Sequence, residues 1–309
     1  MLAVLLQTLP FFGIIALGYG AGRTGFFTPE ATAYLTKFVF YFALSAMIFK
    51  FSANLTFSDI WLPEALIAYL WATAVVYLIV TCAALLRRLS VEEAAVEAQC
   101  GVIGNVGFLG IPMLVLLLGE PAIVPVMIVL VVDLLFFGSL IVILITGSRD
   151  GRVSLGVLQT VGKGLLQNPM IVSIFLGLAW SALQIPIPDV MNNFVSILGA
   201  AATPGALFAI GASLASKSAE RIAVAAWLSV SKLVLHPIAV AFAVLFFIPL
   251  DPYIAGVIIA AAALPTAGNV YILAAHYGVA PSRVSATILV STSASVLTVS
   301  GVIAWVSAF

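Results

Sequence analysis

Charged residues are scarce in this chain of 309 residues, in which Asp, Glu, Lys and Arg together make up 8%. Soluble domains carry about 25% charged residues and about 45–50% apolar ones. Here 63% of the residues are hydrophobic and the mean hydropathy is +1.25, so too few polar residues remain to cover such a core in water. The composition excludes a water-soluble enzyme and, for lack of a basic patch, a nucleic-acid-binding protein. It predicts an integral membrane protein.

Cysteine and histidine are equally rare, with two of each. Cys82 and Cys100 fall in or beside apolar segments, which is typical of buried, inert thiols rather than of a disulfide or a metal cluster. The sequence has no HExxH, Walker or nucleophile-elbow motif, and no set of His, Asp and Ser that a fold would gather in one place. Neither an enzyme nor a metal site is therefore expected.

Long apolar runs, by contrast, follow one another along the whole chain. They are continuous, which predicts membrane-spanning helices and disfavours the alternating strands of a β-barrel. At about 30 residues per helix and loop the chain has room for about ten spans. A polar connection at 147–167 divides them into two halves of five, residues 1–146 and residues 168–309. The predicted spans are 2–22, 33–49, 60–86, 95–118, 121–146, 168–185, 190–215, 222–248, 252–277 and 281–307.

The basic residues are sorted with respect to these spans. Of the 12 Lys and Arg residues, only Lys50 belongs to the loops after the even-numbered spans, and Lys232 lies inside span eight. Cytoplasmic loops are enriched in Lys and Arg, which predicts a protein of the cell (inner) membrane with both termini outside. The residues assigned to the cytoplasmic side are Arg23, Lys37, Arg87, Arg88, Arg149, Arg152, Lys163, Lys217, Arg221 and Arg283.

The fourth span of each half contains an unusual cluster of Gly, Pro and Asn. The clusters run over 104–112 and 263–271, and both contain Gly-Asn-Val. Pro and Gly weaken a helix, and the backbone groups they free need partners in lipid. This favours discontinuous helices near the midplane whose half-helix ends contact substrate, as in transporters with inverted repeats. The alternatives are ordinary transmembrane Gly and Pro and asparagines that join helices.

The chain resembles the auxin efflux carrier family, which includes plant auxin carriers and bacterial relatives, some of them named malonate transporters. The resemblance covers essentially the whole chain. It is carried by Asn105–Pro112 with Gly110-Ile111-Pro112, by Asn168-Pro169, by Ala206–Leu214 and by Ala263–Tyr277. The family is built like the bile-acid/sodium symporters. The resemblance implies an all-α membrane protein with ten transmembrane helices in two inverted five-helix repeats, of which the fourth and ninth are broken and cross.

The resemblance also implies that the spans form two domains with different roles. Spans one, two, six and seven form a scaffold, through which two copies form a homodimer, and spans three to five and eight to ten form a transport domain. Plant carriers hold the substrate carboxylate with an asparagine that falls on Asn105; their preceding proline is Gly104 here, which leaves the crossing point in span four open. The predicted substrate-binding residues are Asn105, Asn269, Gly104, Phe108, Pro112, Pro265, Thr266, Gly268 and Tyr271.

Two charged residues lie inside predicted spans. Asp133 is in the middle of span five, where a carboxylate typically marks an ion or substrate path; a structural ion pair or a protonated, hydrogen-bonded acid are the alternatives. Lys232 and His236 share a face of span eight. Lys232 is interpreted as a partner of Asp133 or of an anionic substrate, or as a side chain that snorkels to the cytoplasmic surface. His236 is expected to be a satisfied core residue.

Span ten carries a row of hydroxyl groups. Thr287, Ser291, Ser295 and Thr298 share one helical face. Such a row is typical of close helix packing, and it is also able to supply ligands for a cation. We therefore keep Ser291 and Ser295 as candidate coupling residues beside the candidate proton carrier Asp133 and its neighbour Lys232.

The sequence thus predicts a secondary transporter for a small organic anion, in the first instance a carboxylate, that works by alternating access of an elevator or rocking type. The alternative is a channel or membrane sensor on the same fold without alternating access. No cofactor is expected except a coupling ion, either a proton or sodium. The expected partners are the anion, the lipid bilayer and a second copy of the chain, and no nucleic acid.

Overall fold

The computed structural model describes residues 2–55, 61–150, 155–216 and 222–307. Within these ranges the regular structure is helical, apart from a single antiparallel β-bridge between Gly104 and Thr266. The helices are α1 (Leu2–Arg23), α2 (Pro29–Ala53), α3 (Pro63–Leu86), α4 (Val91–Val102), α5 (Val106–Leu118), α6 (Glu120–Arg149), α7 (Leu155–Gln167), α8 (Pro169–Ala182), α9 (Asp189–Ala215), α10 (Ile222–Phe247), α11 (Pro252–Ala262), α12 (Gly268–Tyr277) and α13 (Pro281–Val306).

Six of the described helices, namely α2, α3, α6, α9, α10 and α13, are long and apolar enough to cross a membrane. A bent pair, Gln159–Gln167 with Pro169–Ala182, adds a seventh if the two helices are taken as one span. The shorter helices α5 and α11 are also apolar. These lengths confirm the all-α, multi-pass membrane class. Spans four and nine are each divided, into α4 and α5 and into α11 and α12.

The predicted polar connection between the halves is itself mostly helical. Helix α6 continues to Arg149 and α7 occupies Leu155–Gln167, while residues 151–154 lie outside the described part. The chain then turns by 71° into α8. Asn168 is the N-cap of α8, its side chain accepting a hydrogen bond from the Met170 amide at 3.0 Å, and Pro169 takes the first helical position. Both residue types favour a helix start, which explains the sharp turn at this point.

One group of helices packs through glycine contacts. Helix α1 lies along the second half of α9, and α8 and the first half of α9 lie against α2. A Cβ on Gly18 would overlap the backbone of Phe208, and one on Gly211 would overlap the backbone of Ile15. Glycine lets the two helix backbones approach closely, which is how helices associate where lipid removes the hydrophobic drive.

A second group consists of α3, α4, α6, α10, α11 and α13, which contact one another extensively. Its interior contains the buried polar side chains Asp133, Lys232 and His236. The two groups touch where α1 meets α13 and where the start of α5 meets α9. At this boundary the ring of Phe108 stacks on that of Phe40, with 6.0 Å between the centroids.

Candidate functional site

The two helix breaks contact each other through their backbones. The amide of Asn105 donates to the carbonyl of Pro265 at 2.8 Å, and the amide of Ala267 donates to the carbonyl of Ile103 at 3.0 Å. These bonds flank the bridge between Gly104 and Thr266. Two of the amides and two of the carbonyls that the breaks free are therefore partnered across the contact, which lowers the cost of breaking the helices in the membrane.

The first half-helices, α4 and α11, end where the two breaks contact each other (the junction). Side chains of the protein bind carbonyls at the ends of both helices. Thr266 donates its hydroxyl to the carbonyl of Cys100 at 2.9 Å, near the end of α4. Lys232 donates its ammonium to the carbonyl of Ala262, the last residue of α11. Because a helix C-terminus carries partial negative charge, a cation and a hydroxyl donor are well placed there.

The second half-helix of each pair begins at the junction without a side-chain cap. Asn105 precedes α5 and Ala267 precedes α12, and neither provides a capping hydrogen bond. Gly268, the first residue of α12, is exposed, and Oδ1 of the next residue, Asn269, is buried without a hydrogen-bond partner in the described structure. Helix N-termini carry partial positive charge and free N–H groups, so they attract anions.

Asp133 lies buried beside the junction. Tyr69 of α3 donates its phenol to Oδ1 at 2.9 Å, and the amide of Gly104 faces the same carboxylate. Oδ2 has no hydrogen-bond partner of normal geometry among the described residues. The residue is 3% exposed. The ion pairs of the described residues do not include one between Asp133 and Lys232, so the pairing of these two residues stays a prediction.

Lys232 and His236 form one buried polar row with a residue of α3. The Nζ atom of Lys232 lies 3.2 Å from Nδ1 of His236, and Nε2 of His236 lies 3.0 Å from the hydroxyl of Thr73. Both residues are 0% exposed. The expectation that His236 is a satisfied core residue is confirmed, whereas the alternative that Lys232 snorkels to the surface is wrong, because its ammonium is bound inside the protein.

Three segments of this site are single turns of π-helix: Val106–Gly110, Asp133–Phe137 and Ser231–Leu235. Such turns are frequent at functional sites, because they rotate the residues that follow relative to a regular helix. They carry the residues at the start of α5, the buried acid and the buried lysine. The sequence gives no periodic signal for them.

The hydroxyl row of α13 is mostly engaged within its own helix. Ser295 donates to the carbonyl of Thr292 at 2.7 Å, and Thr287 donates to that of Arg283 at 2.9 Å. Ser291 also accepts a hydrogen bond from the amide of Thr266 at 3.2 Å, so it supports the break in span nine directly. These contacts favour the packing interpretation of the row.

The remaining candidates are spread along the second half-helices. Pro265 is buried within the junction; Pro112 is buried in α5, and Phe108 lies one turn before it. Tyr271 is half-buried, one turn into α12. The structure therefore gathers Gly104, Asn105, Pro265 and Thr266 at one point and leaves the others up to two turns away.

The residues predicted from the sequence do not include two features of the site. Tyr69 and Thr73 lie one turn apart on α3 and complete the polar row, a spacing that matches Lys232 and His236 on α10. Their spacing is visible in the sequence, because a Tyr and a Thr four residues apart share one helix face. Neither is charged, so neither stood out in an apolar span.

The second missing feature is a charge cluster at the end of the protein that carries the predicted cytoplasmic arginines. Glu97, fully buried, binds Arg87 and, at 2.7 Å, Arg283. Arg283 also pairs with Glu93 at 3.1 Å, and Arg149 pairs with Glu92 at 2.9 Å. These ion pairs connect α4 to the ends of α3, α6 and α13. The described residues include no group of His, Cys, Asp and Glu able to hold a metal ion.

Comparison with known proteins identifies the family of the chain. A family model described as "Membrane transport protein" matches residues 3–303. The "Putative malonate transporter" of Rhizobium meliloti (strain 1021) is 33% identical over 298 residues, which cover 96% of this chain and 93% of that protein. The "Lysosomal cholesterol signaling protein" of Mus musculus is 31% identical over 221 residues, which are 67% of this chain and 25% of that longer protein. The chain therefore belongs to the membrane transport protein family of the auxin efflux carrier type.

Proposed function

We propose that this membrane transporter is a secondary carrier for small carboxylates. Its family and the Rhizobium relative identify a transporter and not an enzyme. The substrate class rests on one observation. The negative ends of the broken helices are bound by the protein's own Lys232 and Thr266, whereas the positive ends of α5 and α12 have no side-chain cap. Such an arrangement leaves donors and positive potential free for an anion.

In this proposal the two asparagines bind the substrate from either side of the junction. Asn105 precedes α5 and Asn269 lies in the first turn of α12, so each amide adds a donor to an uncapped N-terminus. Hydrogen bonds to an ionised carboxylate are stronger than neutral ones. Two positive ends suit a short dicarboxylate, and malonate, which the name of the Rhizobium relative mentions, is the first compound to test.

We propose further that the chain forms ten spans in two inverted repeats, with both termini outside the cell membrane. The group α1, α2, α8 and α9 is the scaffold and the homodimer surface, and the remaining helices are the transport domain. The close contact at Gly18 and Gly211 supports a rigid scaffold. The transport domain then moves against it in an elevator or rocking motion, with the stacked rings of Phe40 and Phe108 at the sliding boundary.

Uptake into proteoliposomes tests the proposal. A panel of mono- and dicarboxylates is measured with and without pH and sodium gradients, and saturable counterflow is the expected result. The Asn105→Ala variant is expected to lose uptake while it still inserts and folds, because the junction itself is held by backbone bonds. Absence of transport and binding for every carboxylate would refute the substrate class. Single-channel currents without counterflow would instead support the channel alternative.

A further inference from the structure

The uncapped start of α5 is covered by two side chains from the group of helices that we assign to the scaffold. Phe40 of α2 stacks on Phe108, with 6.0 Å between the ring centroids. Met170, the second residue of α8, lies over Gly107. A Cβ on this glycine would stand 2.7 Å from Cε of Met170 and 3.2 Å from its Sδ. Two consecutive residues at the start of α5 therefore contact two different scaffold helices.

The contact between Met170 and α5 depends on the glycine at position 107. Any other residue there would bring its Cβ closer to Cε of Met170 than real Cβ contacts allow. The atom in the way is the end of an unbranched side chain with three rotatable bonds. A methyl group at position 107 would therefore displace the methionine side chain rather than disrupt the helix.

The end of the Met170 side chain lies on the side of Gly107 from which an anion would approach. In a helix the Cα–Cβ bond tilts toward the N-terminus, so atoms that crowd the place of this Cβ lie toward the start of α5. The amides of Gly107 and Phe108 belong to the first turn, where a helix offers them no acceptor, and they point in the same direction. Met170 thus lies beside the donors that the proposed function assigns to the substrate.

Met170 can act on a carboxylate through its volume only. The residue is 3% exposed, and its thioether has no donor and is a weak acceptor, so it offers an anion no hydrogen bond. The backbone that carries it is fixed, because its amide donates to Oδ1 of Asn168 at 3.0 Å and Pro169 takes the first helical position. The methionine therefore forms an apolar wall at a defined place beside the donors of α5.

We propose that Met170 is a specificity-determining residue, whose side chain limits the length of the carboxylate that binds between the two helix breaks. The inference rests on the proposed carboxylate transport and adds to it the group that selects among homologous substrates. Each further methylene group of a dicarboxylate needs room beside the donors of α5, and Met170 fills that room. The selecting side chain belongs to the scaffold, whereas the donors belong to the transport domain.

The test measures counterflow of malonate, succinate and glutarate, which differ by one methylene group at each step, through the purified full chain in proteoliposomes. Met170→Ala removes the volume of the side chain, and Met170→Leu conserves most of it. Met47→Ala is the matched control, because Met47 is also a buried methionine of the scaffold group but lies against Gly199 of α9. Gly107→Ala, alone and together with Met170→Ala, tests the contact itself.

The proposal makes separate predictions for each protein. The wild type and Met47→Ala prefer malonate to the longer dicarboxylates. In Met170→Ala the ratio of succinate to malonate counterflow rises about tenfold, since one methylene group in an apolar pocket changes discrimination by about 10- to 200-fold. Met170→Leu shifts this ratio less. Gly107→Ala loses malonate counterflow several-fold, because its methyl group displaces the methionine toward the substrate, and the double variant regains it. A purely structural role of Met170 would instead lower the counterflow of all three compounds equally.

Three results would overturn the proposal. They are equal counterflow of the three dicarboxylates in the wild type, an unchanged succinate-to-malonate ratio in Met170→Ala, and a loss in Gly107→Ala that persists in the double variant. If Met170→Ala does not fold, an unchanged ratio in Met170→Val would overturn it equally. Malonate counterflow with an unchanged ratio refutes the role of Met170 and leaves the proposed function intact, whereas a wild type that neither transports nor binds any carboxylate refutes both.

Discussion

The hydrogen bond between Tyr69 and Asp133 allows a quantitative test of how the buried acid is held. The phenol donates to Oδ1 at 2.9 Å, Tyr69 is 1% exposed and Oδ2 lacks a regular partner. Tyr69→Phe removes only the donor and keeps the ring. A hydrogen bond to a charged group contributes about 1.5–3 kcal/mol. With about 2–4 °C per kcal/mol for a chain of roughly this size, the unfolding temperature should fall by about 3–12 °C.

The matched control is Tyr253→Phe, in the first turn of α11 and therefore at the end of that helix away from the junction. Tyr253 donates to the neutral carbonyl of Leu118 at 2.8 Å and is 38% exposed, so its loss should cost about 1 kcal/mol or less. A double-mutant cycle of Tyr69→Phe with Asp133→Asn isolates the pair. Equal losses for the two Tyr→Phe variants, or additive losses in the cycle, would refute the assignment of a charged acceptor at Asp133.

The remaining predictions concern three other features. Asp133→Asn should abolish the pH dependence of uptake if this acid carries the proton, and unchanged pH dependence excludes it. Glu97→Gln weakens the buried ion pair with Arg283 and the half-buried pair with Arg87, and it should destabilise the protein by about 3 kcal/mol or more. Glu92→Gln, in an exposed pair, should cost about 1 kcal/mol or less. Chemical denaturation compares the two variants, and equal losses contradict the cluster. Gly211→Ala should lower the unfolding temperature strongly and Gly20→Ala should not, because a Cβ meets nothing within 4 Å at Gly20.

The breaks in spans four and nine were predictable from the sequence because their cause is local. Pro265 has no amide hydrogen, and Gly104 and Gly268 allow departures from helix, so the interruption follows from residue chemistry alone. The bonds by which the breaks satisfy each other, such as Asn105 to Pro265, join residues far apart in the chain. Their existence was expected from the cost of unpaired groups in lipid, but their pairing was not.

The environment of Lys232 was not predictable in the same way. A lysine near a helix end either snorkels or turns inward, and the choice depends on how the helix is rotated in the bundle. Here Lys232 belongs to the π-turn Ser231–Leu235, and its ammonium donates to the carbonyl of Ala262. The partner of Asp133 is similarly remote, because Tyr69 precedes it by 64 positions. The sequence shows which buried residues are charged, but it does not show which residues partner them.

The claim that an anion binds at the uncapped start of α12 has a direct test at Gly268. This residue is exposed and a Cβ there meets nothing within 4 Å, so Gly268→Cys introduces a thiol without a clash. In a Cys82→Ser background, which removes the exposed native thiol, the rate of alkylation by a maleimide is measured with and without malonate. Gly162→Cys, also unobstructed, is the control. We predict that malonate slows alkylation at position 268 and not at 162; equal rates at malonate concentrations that saturate counterflow would contradict the account.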